Sequence, residues 1–197
     1  MASGPVRHFK MSSFTQWPSY VVQPGLTEAI MAAGIEARWN NGIFEVSNLA
    51  AAQSLAASYS PVPFVQQQAI AAVYAMLAEH VMAGFVYNGV LVDISSTPDP
   101  VLGSPASNIS AMAQIARDGI TGAISQPWSP SFFWAAMGSG APLALPTPQA
   151  MLAFAGAAGK YKSDLIMYAE GLMQQIMAAT TVAAVQAAGT GTNWPTS

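Results

Sequence analysis

Between Gly84 and Ile94 the chain reads GFVYNGVLVDI, and this stretch limits the folds open to it more than any other. Phe85, Val86 and Tyr87 lead into Asn88-Gly89, and Val90, Leu91 and Val92 lead out. Asn-Gly between two β-branched and aromatic runs predicts a hairpin, because a type I′ turn needs φ > 0 at both central residues. Long helical patterns flank it on both sides. The expected class is therefore α+β: a small antiparallel sheet of two hairpins packed by long helices, with extended N- and C-terminal arms.

The N-terminal 1–26 reads as an arm. Pro5, Pro18 and Pro24 punctuate it, and Phe9, Phe14, Trp17 and Tyr20 are spread along it. An arm cannot bury those rings against itself, so they are expected to dock, either on the chain's own core or on a neighbouring subunit. Leu26 to Arg38 reads as a short helix, with Thr27 as its N-cap and Glu28 in its first turn. A second Asn-Gly pair, Asn41-Gly42, predicts a small hairpin, and Ser47-Asn48 cap an Ala-rich helix from Leu49 to Ser58. Ser60-Pro61-Val62-Pro63 opens the first long helix, where proline is tolerated because its missing N–H would be unpaired anyway. Its apolar stripes, Val62-Val65-Ala69-Val73-Met76 and Ile70-Tyr74-Leu77-Val81, make a wide face suited to packing on more than one neighbour.

After the central hairpin a Pro-, Ser- and Gly-rich loop, 95–107, leads to a helix capped by Ser107 or Asn108 and running to Ile124. Phe132 to Ala136 and Pro142 to Leu145 flank Gly138-Ser139-Gly140 and predict a second hairpin, joined with the first in one sheet. Thr147 caps the last helix, with Pro148 at its first position. Met151, Phe154, Ala158, Tyr161, Leu165, Tyr168 and Leu172 then recur at 3-4 spacing down its core face. From Thr180 the chain is Ala, Thr and Gly, and Trp194-Pro195 reads as a peptide that docks. The domain reading is thus 1–60 attachment region, 61–180 α+β domain, 181–197 docking tail.

Only 8% of the residues are charged and 52% are apolar, against roughly 25% charged in an ordinary soluble domain. Neither 46–78 nor 119–159 contains a charge. Two classes of protein tolerate this: membrane proteins, and soluble proteins whose surface is covered by partners or copies. A membrane span needs about 20 consecutive apolar residues, and Gln66-Gln67-Gln68, Glu79 and His80 interrupt one candidate while Lys160, Lys162, Asp164 and Glu170 interrupt the other. No apolar core of a signal peptide stands in MASGPVRHFKMSS, and none is expected. A net charge of −3 with six scattered basic residues excludes the basic stripe that nucleic-acid binding uses.

The chemistry-bearing inventory is thin. There is no Cys, and the two His, His8 and His80, have no carboxylate pattern around them that would make a metal site. His80 reads as a helix-end histidine. The nine carboxylates are dispersed singly, and Ser139 between two glycines sits in a hairpin turn rather than the strand–turn–helix of a nucleophile elbow. No catalytic, cofactor-binding or metal residue is nominated, and no enzyme activity is expected. The nominated interface residues are Phe9, Phe14, Trp17, Tyr20 and Trp194.

From Val73 to Ala179 the order of features is more specific: a helix into Ala83-Gly84-Phe85-Val86-Tyr87-Asn88-Gly89, then Asp93, a helix beginning at Asn108-Ile109, an aromatic strand with Trp134, and a Thr147-initiated helix with Phe154, Ala155, Tyr161 and Leu172. This resembles a bacteriophage tail-associated domain of unknown function found towards the C-terminus of tail-fibre-type and fibre-accessory proteins. That family's first helix is usually rich in Arg and Glu; here it is Ala, Val and Gln, which suits a helix covered in an assembly. The resemblance implies a virion structural protein at the tail tip, baseplate or fibre attachment, located in the virion tail after assembly in the host cytoplasm. Its partners would be other virion proteins and copies of itself, by analogy a trimer, without nucleic acid or membrane insertion. The alternatives are a fibre-assembly chaperone absent from the finished particle, a receptor- or glycan-binding component using Trp128, Trp134 or Tyr87, and a lipid-binding helical protein using 147–188.

Overall fold

A computed structural model describes residues 13–124, 128–138 and 140–197. The chain divides into two units, one formed mainly by residues up to Gln68 together with Thr180–Val182, the other by Ala69–Ala179 and Ala183–Ser197. The class is α+β, as expected, with small antiparallel sheets packed by helices.

In the first unit, strands β1 (Thr15–Gln16), β2 (Ala37–Asn40) and β3 (Ile43–Val46) form an antiparallel sheet in the order β1-β3-β2. Helices α1 (Leu26–Ala32) and α2 (Leu49–Ser58) belong to the same unit. Trp17, Leu26, Ile30, Ile35, Phe44, Val46 and Ala52 make its core. The turn between β2 and β3 is the Asn-Gly hairpin expected, with Asn41 at φ 48° and Gly42 at φ 80°. Asn48 caps α2 through its side chain, which accepts from the Ala51 N–H. The predicted helix to Arg38 is cut short. Gly34 takes φ 76°, and the N–H groups of Gly34 and Ile35 turn back to the carbonyls of Met31 and Ile30. A left-handed glycine closes a helix, and this one frees Arg38 and Trp39 for β2. Nor does Thr27 cap α1: that position is Gly25, and the Thr27 hydroxyl bonds the Tyr20 hydroxyl instead (2.9 Å).

The second unit begins within α3 (Val62–Met82). Hairpin β4 (Phe85–Tyr87) and β5 (Val90–Val92) follows, its turn carrying Asn88 at φ 50° and Gly89 at φ 78°. Phe85 pairs with Val92 and Tyr87 with Val90. Helix α4 spans Pro105–Thr121, hairpin β6 (Phe133–Trp134) and β7 (Leu143–Ala144) comes next, then α5 (Pro148–Ala178) and α6 (Val182–Gly189). The core joins Phe85, Val92 and Ile94 to Ile109 and Ala116 of α4, Leu143 and Leu145, and Met151, Phe154 and Ala158 of α5.

Four expectations change here. The two hairpins do not merge into one sheet; they remain separate ladders, and the Met137 N–H just past β6 donates to the Leu91 carbonyl of β5 (2.8 Å). Strands of two residues offer too few groups to extend a ladder, and Pro142 beside β7 lacks an N–H altogether. Helix α4 starts earlier than Ser107, because Ser104 is the cap and accepts from the Ser107 N–H, and it ends at Thr121, where Gly122 turns left-handed at φ 75°. The C-terminal stretch expected as an arm carries α6, with Val185 fully buried. The apolar face of α3 is less covered than its width implies, with Val65 and Val73 buried and Tyr74 and Met82 largely exposed. Thr147 and Pro148 start α5 as predicted, and the seam residues Met151, Phe154, Ala158, Leu165 and Leu172 are buried.

Candidate interaction surfaces

Three of the four nominated aromatics of the N-terminal segment, Phe14, Trp17 and Tyr20, pack within their own unit. Trp17 is 8% exposed, its N–H bonds the Phe44 carbonyl (2.7 Å), and its ring meets Tyr20 edge-on. Tyr20 stacks on Phe44 with centroids 4.0 Å apart, and Trp39 closes the cluster from the other side. Phe14 lies under the Arg38 guanidinium at 4.0 Å. Phe9 lies outside the described residues. What ties this corner together is Glu45, on the central strand. Its buried carboxylate accepts from Arg38 Nε (2.7 Å) and Asn40 Nδ2 (3.1 Å), and the Arg38 bond above all holds its pKa below the ordinary value. Arg38 and Glu45 face each other directly in the β2–β3 register, so the pair fixes which residues oppose one another as well as neutralising a buried charge. Trp39 stays half exposed, and Val21, Val22 and Met31 are the other large apolar side chains that this unit leaves exposed.

Trp194 also docks on its own unit. Its ring stacks on His80 at the end of α3 (4.7 Å, 22°) and meets Tyr168 of α5 edge-on (5.0 Å). The Asn193 N–H donates to the Tyr168 hydroxyl, which fixes the segment in place. Trp194 Nε1–H is buried with no acceptor among the described residues, so stacking rather than a hydrogen bond holds the ring. His80 is thereby a stacking platform at a helix end.

The feature that sequence reasoning missed is the turn 99–103, hidden inside a loop. Asp99 and Gly103 exchange two backbone hydrogen bonds (3.1 and 3.0 Å), and the Asp99 carboxylate accepts from the Leu102 and Val101 N–H groups. Those two bonds, Leu102 first, keep the Asp99 carboxyl below its ordinary pKa. Asn108 Nδ2 then donates to the Leu102 carbonyl, tying the turn to α4. A turn so braced presents Val101 at 86% and Leu102 at 71% exposure. The signal was Asp and Gly four apart around two apolar residues, an Asx-turn pattern. Beside the turn lies an open groove of about 780 Å³, lined by Phe132, Phe133, Trp134, Met112, Asp93 and Asn108 among others. Of the three aromatics named as glycan platforms, only Trp134 reaches this groove; Trp128 donates to the Leu145 carbonyl (2.8 Å) and Tyr87 packs on Phe154. Phe133, 58% exposed, is the outward ring there.

Among the described residues there is no group of three or more His, Cys, Asp or Glu placed to hold a metal ion, and no helix is long and apolar enough to cross a membrane. Compared with family models, curated proteins and solved structures, the chain gives no significant match.

Proposed function

We propose that this chain is a structural protein of a tailed bacteriophage particle, working by protein–protein assembly at the tail tip, baseplate or fibre attachment. The observation that carries the assembly part is the braced turn 99–103, which holds two apolar side chains in water on a backbone that cannot fold them away. Rigid apolar projections bind at low entropic cost, because little is left to order when a partner arrives. The phage part rests on the resemblance of Val73 to Ala179 to tail-associated domains. A chain with 8% charged residues, and with Val86, Leu91 and Phe133 outward on the same unit as that turn, supports burial of this surface in a finished particle.

The test is composition of purified particles by mass spectrometry, with the wild type and with Val101→Asp/Leu102→Asp. The wild type is expected in particles at fixed stoichiometry and the variant lost from them while remaining folded by circular dichroism. A folded wild type found only in the unassembled fraction would move the chaperone reading ahead. One observation favours a second reading, glycan binding: the aromatic groove carries Asp93, Asp99 and Asn108 beside Phe133 and Trp134, the mixture of stacking faces and acceptors that sugars use. Retention on a glycan array that disappears in Phe133→Ala would favour it.

A further inference from the structure

We propose that the groove between α4 and α5 receives an acidic amphipathic helix from a partner protein; this rests on the assembly reading and names the chemistry of one partner. The groove holds about 650 Å³ over an apolar floor of Ile94, Ile109 and Leu152. The two helices run in opposite directions. At one end the Ala106 N–H bonds the Ser95 carbonyl while Lys162 Nζ donates to Ser96 Oγ (2.7 Å), so the start of α4 lies beside Lys162. Towards the other end, Gly119 of α4 shares a smaller pocket with Pro148, the first residue of α5.

The charges are what select the occupant. The described residues include four bases, Arg38, Arg117, Lys160 and Lys162. Arg38 is paired with Glu45 and Lys160 with Asp164. Arg117 and Lys162 have no ion-pair partner among the described residues; they bond Gln114 and Ser96. Both line this groove, and no carboxylate lines it with them. A small anion would need the two cations to converge. Instead Arg117 stands eleven residues along α4 from Ala106 at the Lys162 end, about 16 Å at 1.5 Å per residue. On a helix, residues eleven apart lie within about 20° of one face, so a rod with two acids at that spacing meets both cations at once.

The glycines agree. Gly156 and Gly159 stand inside α5 and line the groove, and a Cβ added at either would meet nothing within 4 Å. Glycine inside a helix is unfavourable by roughly 1 kcal/mol against alanine, and this chain's own packing gives no reason for it at either site. Bare backbone there lets a second helix come close. The apolar floor supplies the affinity and the two cations set which helix enters and in what register.

The probe is a synthetic helical peptide with Glu at two positions eleven apart and Ala and Leu on the face between, against a counterpart carrying Lys at both, each titrated into the full chain by fluorescence anisotropy. The acidic peptide is expected to bind and the basic one not. Arg117→Glu and Lys162→Glu should each weaken binding roughly fivefold or more, and the double reversal should prefer the basic peptide. Gly156→Leu/Gly159→Leu should abolish binding while leaving the thermal midpoint unchanged or higher, a combination that a merely structural role for these glycines does not give. Equal binding of both peptides, or binding that survives the double reversal or the leucines, overturns the proposal. Stoichiometric displacement of the peptide by dodecanoate also overturns it, in favour of a small amphiphile. Incorporation of the double reversal into particles at the wild-type level would sink the groove and leave the assembly reading standing. Selective peptide binding by a wild type absent from particles would do the opposite.

Discussion

At the scale of single residues, Glu45 and Gly84 are the most exacting positions. Glu45 is ionised, buried and bonded to Arg38 and Asn40, with its folded pKa lowered by that contact. A carboxylate with a depressed folded pKa contributes stability that is complete above its unfolded value, near 4.5 here, and is lost as pH falls through the folded one. Urea midpoints for the first unit should therefore fall as pH drops below that value, and Glu45→Gln should flatten the fall; identical slopes in both proteins would remove Glu45 from the account. Gly84 is demanding for a different reason. It sits at φ 87°, and a Cβ there would lie 2.8 Å from the Val92 carbonyl oxygen and 2.5 Å from the Met137 sulfur. The thioether can shift but the strand backbone cannot. Gly84→Ala should destabilise the second unit by about 3 kcal/mol, strain and overpacking together, read as a shift in the urea midpoint; a change under 1 kcal/mol would mean the hairpin and α3 are not locked there.

At the scale of elements, what could be read from sequence was whatever a few neighbouring residues decide. Asn41-Gly42, Asn88-Gly89, Asn48 and Thr147-Pro148 each fix a turn or a helix start by local geometry, and all four stand where expected. The misses came where a local signal had competitors. Gly34 outweighed the helical pattern running to Arg38, and Ser104 outcompeted Ser107 and Asn108 because Pro105 directly after it opens the helix with the fixed φ that a first turn needs. Long-range choices were not legible: that Trp17 would fill its own unit's core, or that Arg117 and Lys162 would face one groove, depends on packing no short window contains. The C-terminal segment gives a prediction of its own kind. Because Trp194 is held by stacking on His80 and Tyr168, with no acceptor for its N–H among the described residues, Trp194→Phe should change stability by less than about 1 kcal/mol, whereas Trp194→Ala should cost about 2 kcal/mol. Thermal unfolding of the two variants separates them, and equal losses would mean the indole N–H is bonded after all.

At the scale of the whole molecule, an assembly surface poor in charge predicts weak dependence on salt. Interactions between exposed charges are largely screened beyond about 10 Å at 0.1 M ionic strength, whereas apolar burial is not. If the proposed assembly role holds, apolar burial should therefore keep this subunit in particles between about 0.1 and 1 M sodium chloride, as judged by sedimentation and mass spectrometry, while the two groove cations bear on which helix docks. Release at moderate salt would mean that ion pairs hold it. Removing residues 1–26 is not a clean test of attachment, since Thr15, Gln16 and Trp17 belong to the first unit's sheet and core; removing residues 1–12 alone leaves those elements in place.

The brevity of the strands has a consequence for the time before any partner arrives. A chain with Val101, Leu102, Phe133 and Trp39 in water invites fibrillar self-association, but templated cross-β growth uses flat edges of about six or seven residues. No strand among the described residues exceeds four, and those of the β6–β7 hairpin have two. The sticky surface is carried on turns, helices and clipped ladders that offer no template for a fibril. On the assembly reading proposed above, folded copies thus wait for a particle without offering a strand template to one another.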